Sequence, residues 1–261
     1  MPFELKLALK YFRSRRKSLA RFTSIVAVIG IAVGVASLII AQSLAGGFQD
    51  EMRDKILANT AHISISLKDG SEIFNWQEIK TNLEKTENVR EIAPTAFENA
   101  LIIGETETSY AILKVEDSKF KIQGSEVAIG ARLAEKMNLK SGDSAEIITF
   151  ENQFPQKIKI AETFETGLFE YDSAWIYISP EKFSILHGKQ NFVPQNLSVS
   201  VKDIYKTDET AKKIRENLGE NFKIIDWQEA NRPLFAALSL ERKVSLAVIS
   251  LIIFIAALNI T

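Results

Sequence analysis

The sequence predicts a membrane protein of the α+β class. It has one transmembrane helix, a mixed α+β domain outside the cytoplasm, and the start of a second transmembrane helix. Three observations carry this. Two stretches hold no charged residue, Phe22–Gln49 and Val244–Thr261. Seven Lys and Arg residues crowd just ahead of the first stretch. Between the two stretches, strand-like alternation and helix-like periodicity are mixed without a regular βαβ rhythm.

Residues 1–21 form a basic cytoplasmic segment. Lys6, Lys10, Arg13, Arg15, Arg16, Lys17 and Arg21 stand against Glu4 alone, a net of +6. The whole chain carries −1, so the remainder sums to −7. A basic head on an acidic body argues against nucleic acid as a partner and suits a head at an anionic cytoplasmic leaflet. Lys6, Lys10, Arg13 and Lys17 share one helical face, with Phe3, Leu5, Leu9 and Phe12 on others. The segment is therefore an amphipathic helix in the membrane plane, or a basic flank that only sets topology.

Residues 22–46 form the first transmembrane helix. A bilayer core about 30 Å thick needs roughly 20 apolar residues, and this run supplies them. The cations before it place the N-terminus in the cytoplasm. A cleaved signal peptide would share the basic flank, but its apolar core runs only about 7–15 residues. Gly30, Gly34, Ser37 and Ala41 repeat at helical spacing. Such a small-residue stripe either lets a second helix approach closely or faces lipid.

Residues 47–243 form the external domain with helical stalks. Phe48, Met52 and Ile56 carry the first helix onward. Strands are expected at 61–67, 89–95, 99–103, 109–115, 144–150, 157–164, 174–178, 197–201 and 222–225, with one more entering a turn at Gly130. Helices are expected at 76–85, capped by Asn75, around Leu133 and Met137, after Ser179-Pro180, and at 207–218. Asp226 caps a last helix expected to run unbroken into the second apolar stretch, with a kink or late start at Pro233. That stretch, residues 244–261, is the second transmembrane helix. Proteins seldom end on an unanchored apolar run, so the sequence is expected to stop inside a longer helix; a tail anchor is the alternative.

Several chemistries are excluded. The chain has no cysteine, and two histidines, His62 and His187, leave little for a metal site. It lacks G-x-x-x-x-G-K-[ST], H-E-x-x-H and G-x-S-x-G motifs. The carboxylates Glu165, Glu170 and Asp172 are read as chance clustering. The chain is expected to be non-catalytic and to hold no cofactor or metal.

Four segments carry a family resemblance: FELKLALKYFRSRRKS, IGIAVGVASLIIAQSLAGGFQDEMRDKIL followed by AHI, VAIGARLAEKMNLKSGD, and LSLERKVSLAVISLIIFIAALNI. Gly167–Asp172 adds to them. Their order and spacing resemble the permease subunits of lipoprotein-releasing (Lol) ABC transporters, within a superfamily of MacB- and FtsX-like permeases. The resemblance implies four spans and a MacB-like periplasmic core between the first two. It also implies an inner-membrane location, a second permease subunit (same or related), and separate ATPase subunits that carry ATP and Mg. Lipoproteins would pass from the inner membrane to a periplasmic carrier. Ala45, Phe48 and Met52 would stand at the lipid cavity entrance. Some members bind the carrier through a long hairpin. Here Phe150–Lys157 is short, so Phe154 and Pro155 form either its tip or an ordinary turn, and a short polar loop with Pro favours the turn. The same architecture serves amphiphile efflux or cell-wall regulation. A membrane-anchored sensor is the reading from another class.

Overall fold

The computed structural model describes residues 3, 18–115, 120, 122, 124 and 126–258. Most of the expected amphipathic segment, and the last three residues of the second apolar stretch, lie outside them. The chain divides into two compact units, residues 1–51 with 233–261, and residues 52–232.

Helix α1 is continuous over Ser18–Asn59 and contains no proline to break it. Val28, Ile29, Val33, Ile39, Ile40 and Leu44 are all exposed. A helix apolar on every side is one that lipid rather than water surrounds. Among the described residues one helix is long and apolar enough to cross a membrane, lying within Val28–Asn59.

In the unit spanning 52–232, one sheet has the order β10-β1-β9-β2, all antiparallel. Its strands are β1 (Ile63–Leu67), β2 (Val89–Thr95), β9 (Asn196–Val201) and β10 (Phe222–Asp226). One face is covered by α2 (Trp76–Leu83) and α6 (Thr207–Leu218). Ile79, Leu83, Ala211 and Ile214 from these helices bury with Ile63, Ile65, Val199 and Ile224. Each fully buried Ile or Leu contributes about 1.5–3 kcal/mol.

The remaining six strands close into a barrel of order β3-β4-β8-β5-β7-β6. They are β3 (Phe97–Ile103), β4 (Thr108–Val115), β5 (Glu126–Gly130), β6 (Ser144–Thr149), β7 (Gln156–Phe164) and β8 (Trp175–Ile178). Two pairings, β4 with β8 and β5 with β7, are parallel. Ala100, Ile102, Leu113, Val127, Ile147 and Ile176 fill the interior. Three short helices complete the barrel: α3 (Ala131–Lys136), α4 (Phe169–Ala174) and α5 (Pro180–Leu186). Ser179 caps α5, its hydroxyl accepting from the Lys182 amide, with Pro180 at the first helical position.

Three local expectations need correction. Asn75 makes no side-chain cap for α2. Gly130 is the last residue of β5, and α3 follows with no turn between. Asp226 caps only a one-turn helix, α7 (Trp227–Ala230), by accepting from the Glu229 amide. The chain breaks at Asn231 and α8 begins afresh over Arg232–Leu258, the late start expected at Pro233, which stands in a first turn where its missing N–H costs nothing.

Candidate functional site

Helix α1 carries the first candidate face. At about 100° per residue, Gly30, Gly34, Ser37, Ala41, Ala45, Phe48 and Met52 all fall within an arc of about 80°. The small-residue stripe and the residues assigned to a cavity entrance are therefore one continuous face. A Cβ added at Gly30 or Gly34 would meet nothing within 4 Å. Phe48 is exposed. Beside this face, Ala45 helps to line a cavity of about 300 Å³ between α1 and α8, with Gln42, Gln49, Glu241, Arg242 and Ser245. The cavity mixes amides and charges with small apolar groups, although α1 itself is uncharged there.

The second candidate lies on the barrel. Phe154 and Pro155 sit in the loop joining β6 to β7, which folds on itself as a tight hairpin. The Asn152 amide donates to the Thr149 hydroxyl at 3.1 Å, the Phe154 amide to the Asn152 side-chain oxygen at 3.2 Å, and the Thr149 amide to the Asn152 carbonyl at 3.3 Å. Asn152 makes the turn by mimicking backbone. Phe150 and Phe154 are left 82% and 77% exposed.

Those rings adjoin an apolar shelf that the sequence did not reveal. Leu101 on β3 lies directly opposite Tyr110 of β4 on one side and Ile148 of β6 on the other. Phe150 follows Ile148 by two residues, which keeps it on the same face. Leu101, Tyr110, Ile148 and Phe150 line a shallow cavity of about 550 Å³ on the outer barrel wall. The Tyr110 hydroxyl donates to Asn99 at 2.7 Å. The hydrophobic run ALII at 100–103 hides which residues face out. Ala100 and Ile102 point inward and Leu101 does not.

The carboxylate cluster has a structural use. Asp172 is only 1% exposed. Its carboxylate accepts from the Thr166 amide at 2.7 Å, the Thr166 hydroxyl at 2.7 Å and the Gly167 amide at 3.0 Å. It holds the turn that enters α4, where Gly167 has φ of +75°. The Lys55 side chain from α1 lies across this glycine, within 3.0 Å of where a Cβ would stand. Glu165 and Glu170 are exposed.

Among the described residues no group of three or more His, Cys, Asp or Glu side chains is arranged to hold a metal ion. His62 is taken up structurally, with Nδ1 accepting from the Val201 amide at 3.0 Å, and burial holds its pKa below the ordinary value.

The model of the MacB-like periplasmic core domain matches residues 24–217. Lipoprotein-releasing system transmembrane protein LolC of Xylella fastidiosa (strain Temecula1) is 24% identical, with 99% of this chain and 68% of that protein aligned. The LolC protein of Neisseria meningitidis serogroup B is 25% identical over 98% of this chain and 68% of its own. The solved extracellular domain of the noncanonic ABC-type transporter YknZ from Gram-positive bacteria aligns with 63% of this chain and 99% of its own, at 15% identity and a TM-score of 0.42. With about three-quarters of its length inside the matched region, the chain belongs to the family built on the MacB-like periplasmic core domain.

Proposed function

We propose that this chain is a permease subunit of a lipoprotein-releasing ABC transporter in the bacterial inner membrane, with the unit spanning 52–232 in the periplasm. The observation that carries this reading is the alignment of nearly the whole chain with lipoprotein-releasing transmembrane proteins. Efflux and sensor readings have no comparable support.

In this reading the chain transmits motion and performs no chemistry. It has no phosphate-binding motif, so ATP and Mg belong to separate ATPase subunits. Helix α1 is the moving part. Its face from Gly30 to Ala41 packs on a second permease subunit, and Ala45, Phe48 and Met52 continue that face to where the acylated cargo enters. Close helix approach needs small residues because the hydrophobic effect does not drive association within lipid. The barrel shelf with Phe150 and Phe154 meets the periplasmic carrier. Exposed aromatic rings beside a concave apolar surface are the composition of a binding hot spot.

Depletion of the protein in its native host tests this directly. Membrane fractionation should then show outer-membrane lipoproteins retained in the inner membrane. Unchanged lipoprotein sorting after depletion would overturn the reading.

A further inference from the structure

His187 follows α5 and is buried, its side chain 1% exposed. Its ring stacks on Phe183 with centroids 4.1 Å apart. Nδ1 lies 2.8 Å from the Phe183 carbonyl oxygen. A carbonyl can only accept, so Nδ1 carries a hydrogen. The other nitrogen, Nε2, is buried with no hydrogen-bond partner. It faces two carboxylates at ion-pair distance, Glu98 at 3.6 Å and Glu151 at 3.5 Å.

A neutral ring with its proton on Nδ1 would aim the Nε2 lone pair at two negative groups. A proton on Nε2 makes the ring an imidazolium that can donate to both carboxylates and offset their charge. The two carboxylates come from different elements. Glu98 belongs to β3, on the side of Ala100 and Ile102, and is 12% exposed. Glu151 belongs to the hairpin between β6 and β7, one residue after Phe150. Of the other charged groups on the helix and the turn beyond it, Glu181 is exposed in the first turn and both lysines are engaged elsewhere. Lys182 donates to the Lys157 carbonyl at 3.1 Å, and Lys189 pairs with Glu72 at 2.6 Å.

We propose that protonated His187 is a latch that pins the Phe150–Pro155 hairpin to the barrel wall through Glu151 and Glu98. The proposal rests on the hairpin being the carrier-facing surface and assigns its regulation. With the latch closed, Phe150 and Phe154 are presented in one fixed geometry. Removing the proton leaves a lone pair between two carboxylates and frees the hairpin to move. Histidine is the side chain that changes charge across the pH range a periplasm experiences.

The test is hydrogen exchange on the full-length protein in detergent, read as protection of the Thr149, Asn152 and Phe154 amides. Protection should be several-fold lower at about pH 8 than at about pH 5. Glu151→Gln, a change at a largely exposed position, should give weak protection at both pH values. His187→Gln should do the same, while the β4 amides stay protected in both variants. Equal protection at both pH values in the native protein would overturn the latch, as would an unchanged pH response in Glu151→Gln. Protection that follows added Zn²⁺ or its chelation, and ignores pH, would show a metal ion in place of the proton and also overturn it. None of these readouts involves the carrier. Failure of the carrier reading would leave the exchange result intact, and failure of the latch would leave carrier binding to be tested separately.

Discussion

Asp172 offers the sharpest test of how the barrel is held together. Its carboxylate is buried and satisfies two backbone amides, of Thr166 and Gly167, and one hydroxyl, of Thr166. In Asp172→Ala all three donors lose their acceptor. The Thr166 hydroxyl can turn toward the Leu168 carbonyl, already 3.5 Å away, and the exposed Gly167 amide can find water. The Thr166 amide has neither escape. With about 1–3 kcal/mol for a buried donor left unpaired, the loss should be about 1–3 kcal/mol. Asp172→Asn can keep one oxygen for both Thr166 donors but sets its NH₂ against the Gly167 N–H. It should lose about 1–2 kcal/mol. Urea denaturation of the unit spanning 52–232 measures both, as a lower midpoint at unchanged slope. An Ala variant within about 0.5 kcal/mol of the native protein, or an Asn variant less stable than Ala, would refute the account of Asp172 as the acceptor that holds this turn.

Four further outcomes are expected. Gly130→Ala should cost about 3 kcal/mol or more, because its Cβ would overlap the Asp172 carbonyl group and neither backbone can yield; Gly130 has an ordinary φ of −58°, so sterics alone is at stake, and thermal unfolding reads it. His62 has a depressed pKa in the folded state from burial, so its contribution to stability is complete above the unfolded value of 6.5 and is lost as pH falls through the lower folded value; His62→Gln should flatten that part of the stability–pH curve relative to the native protein. Gly34→Leu enters open space in this chain, so the domain should fold normally while cross-linking between permease subunits and lipoprotein release both fall; unchanged cross-linking would mean that this face meets lipid. Replacing Phe150 and Phe154 together by Ser should leave the melting temperature nearly unchanged, since both rings are exposed, yet weaken carrier capture in a pull-down by at least tenfold, about 1.4 kcal/mol.

The sequence alone determined whatever depends on near neighbours along the chain. The uncharged runs marked α1 and the apolar part of α8 as helical, and among the described residues α1 is long and apolar enough to cross a bilayer, which is a matter of consecutive apolar residues. Strand alternation located most of the ten strands to within a residue or two, and Ser179-Pro180 announced α5, because caps and pleats are local geometry. The family resemblance was legible in the same way, as ordered segments. Closure of the barrel was not legible, nor were the parallel pairings of β4 with β8 and β5 with β7, which join residues about 30 to 60 apart. Only strand register decides that Leu101 faces outward to meet Tyr110 and Ile148 while Ile102 turns into the core, since a slip of one residue would exchange them. Asp172 looked like one acid among many until folding buried it over the Thr166 and Gly167 amides. His187 looked like a lone histidine until β3 and the hairpin each brought a glutamate to its buried nitrogen. Both roles belong to the tertiary structure because a buried charge is defined by what surrounds it, and those partners come from other segments of the chain.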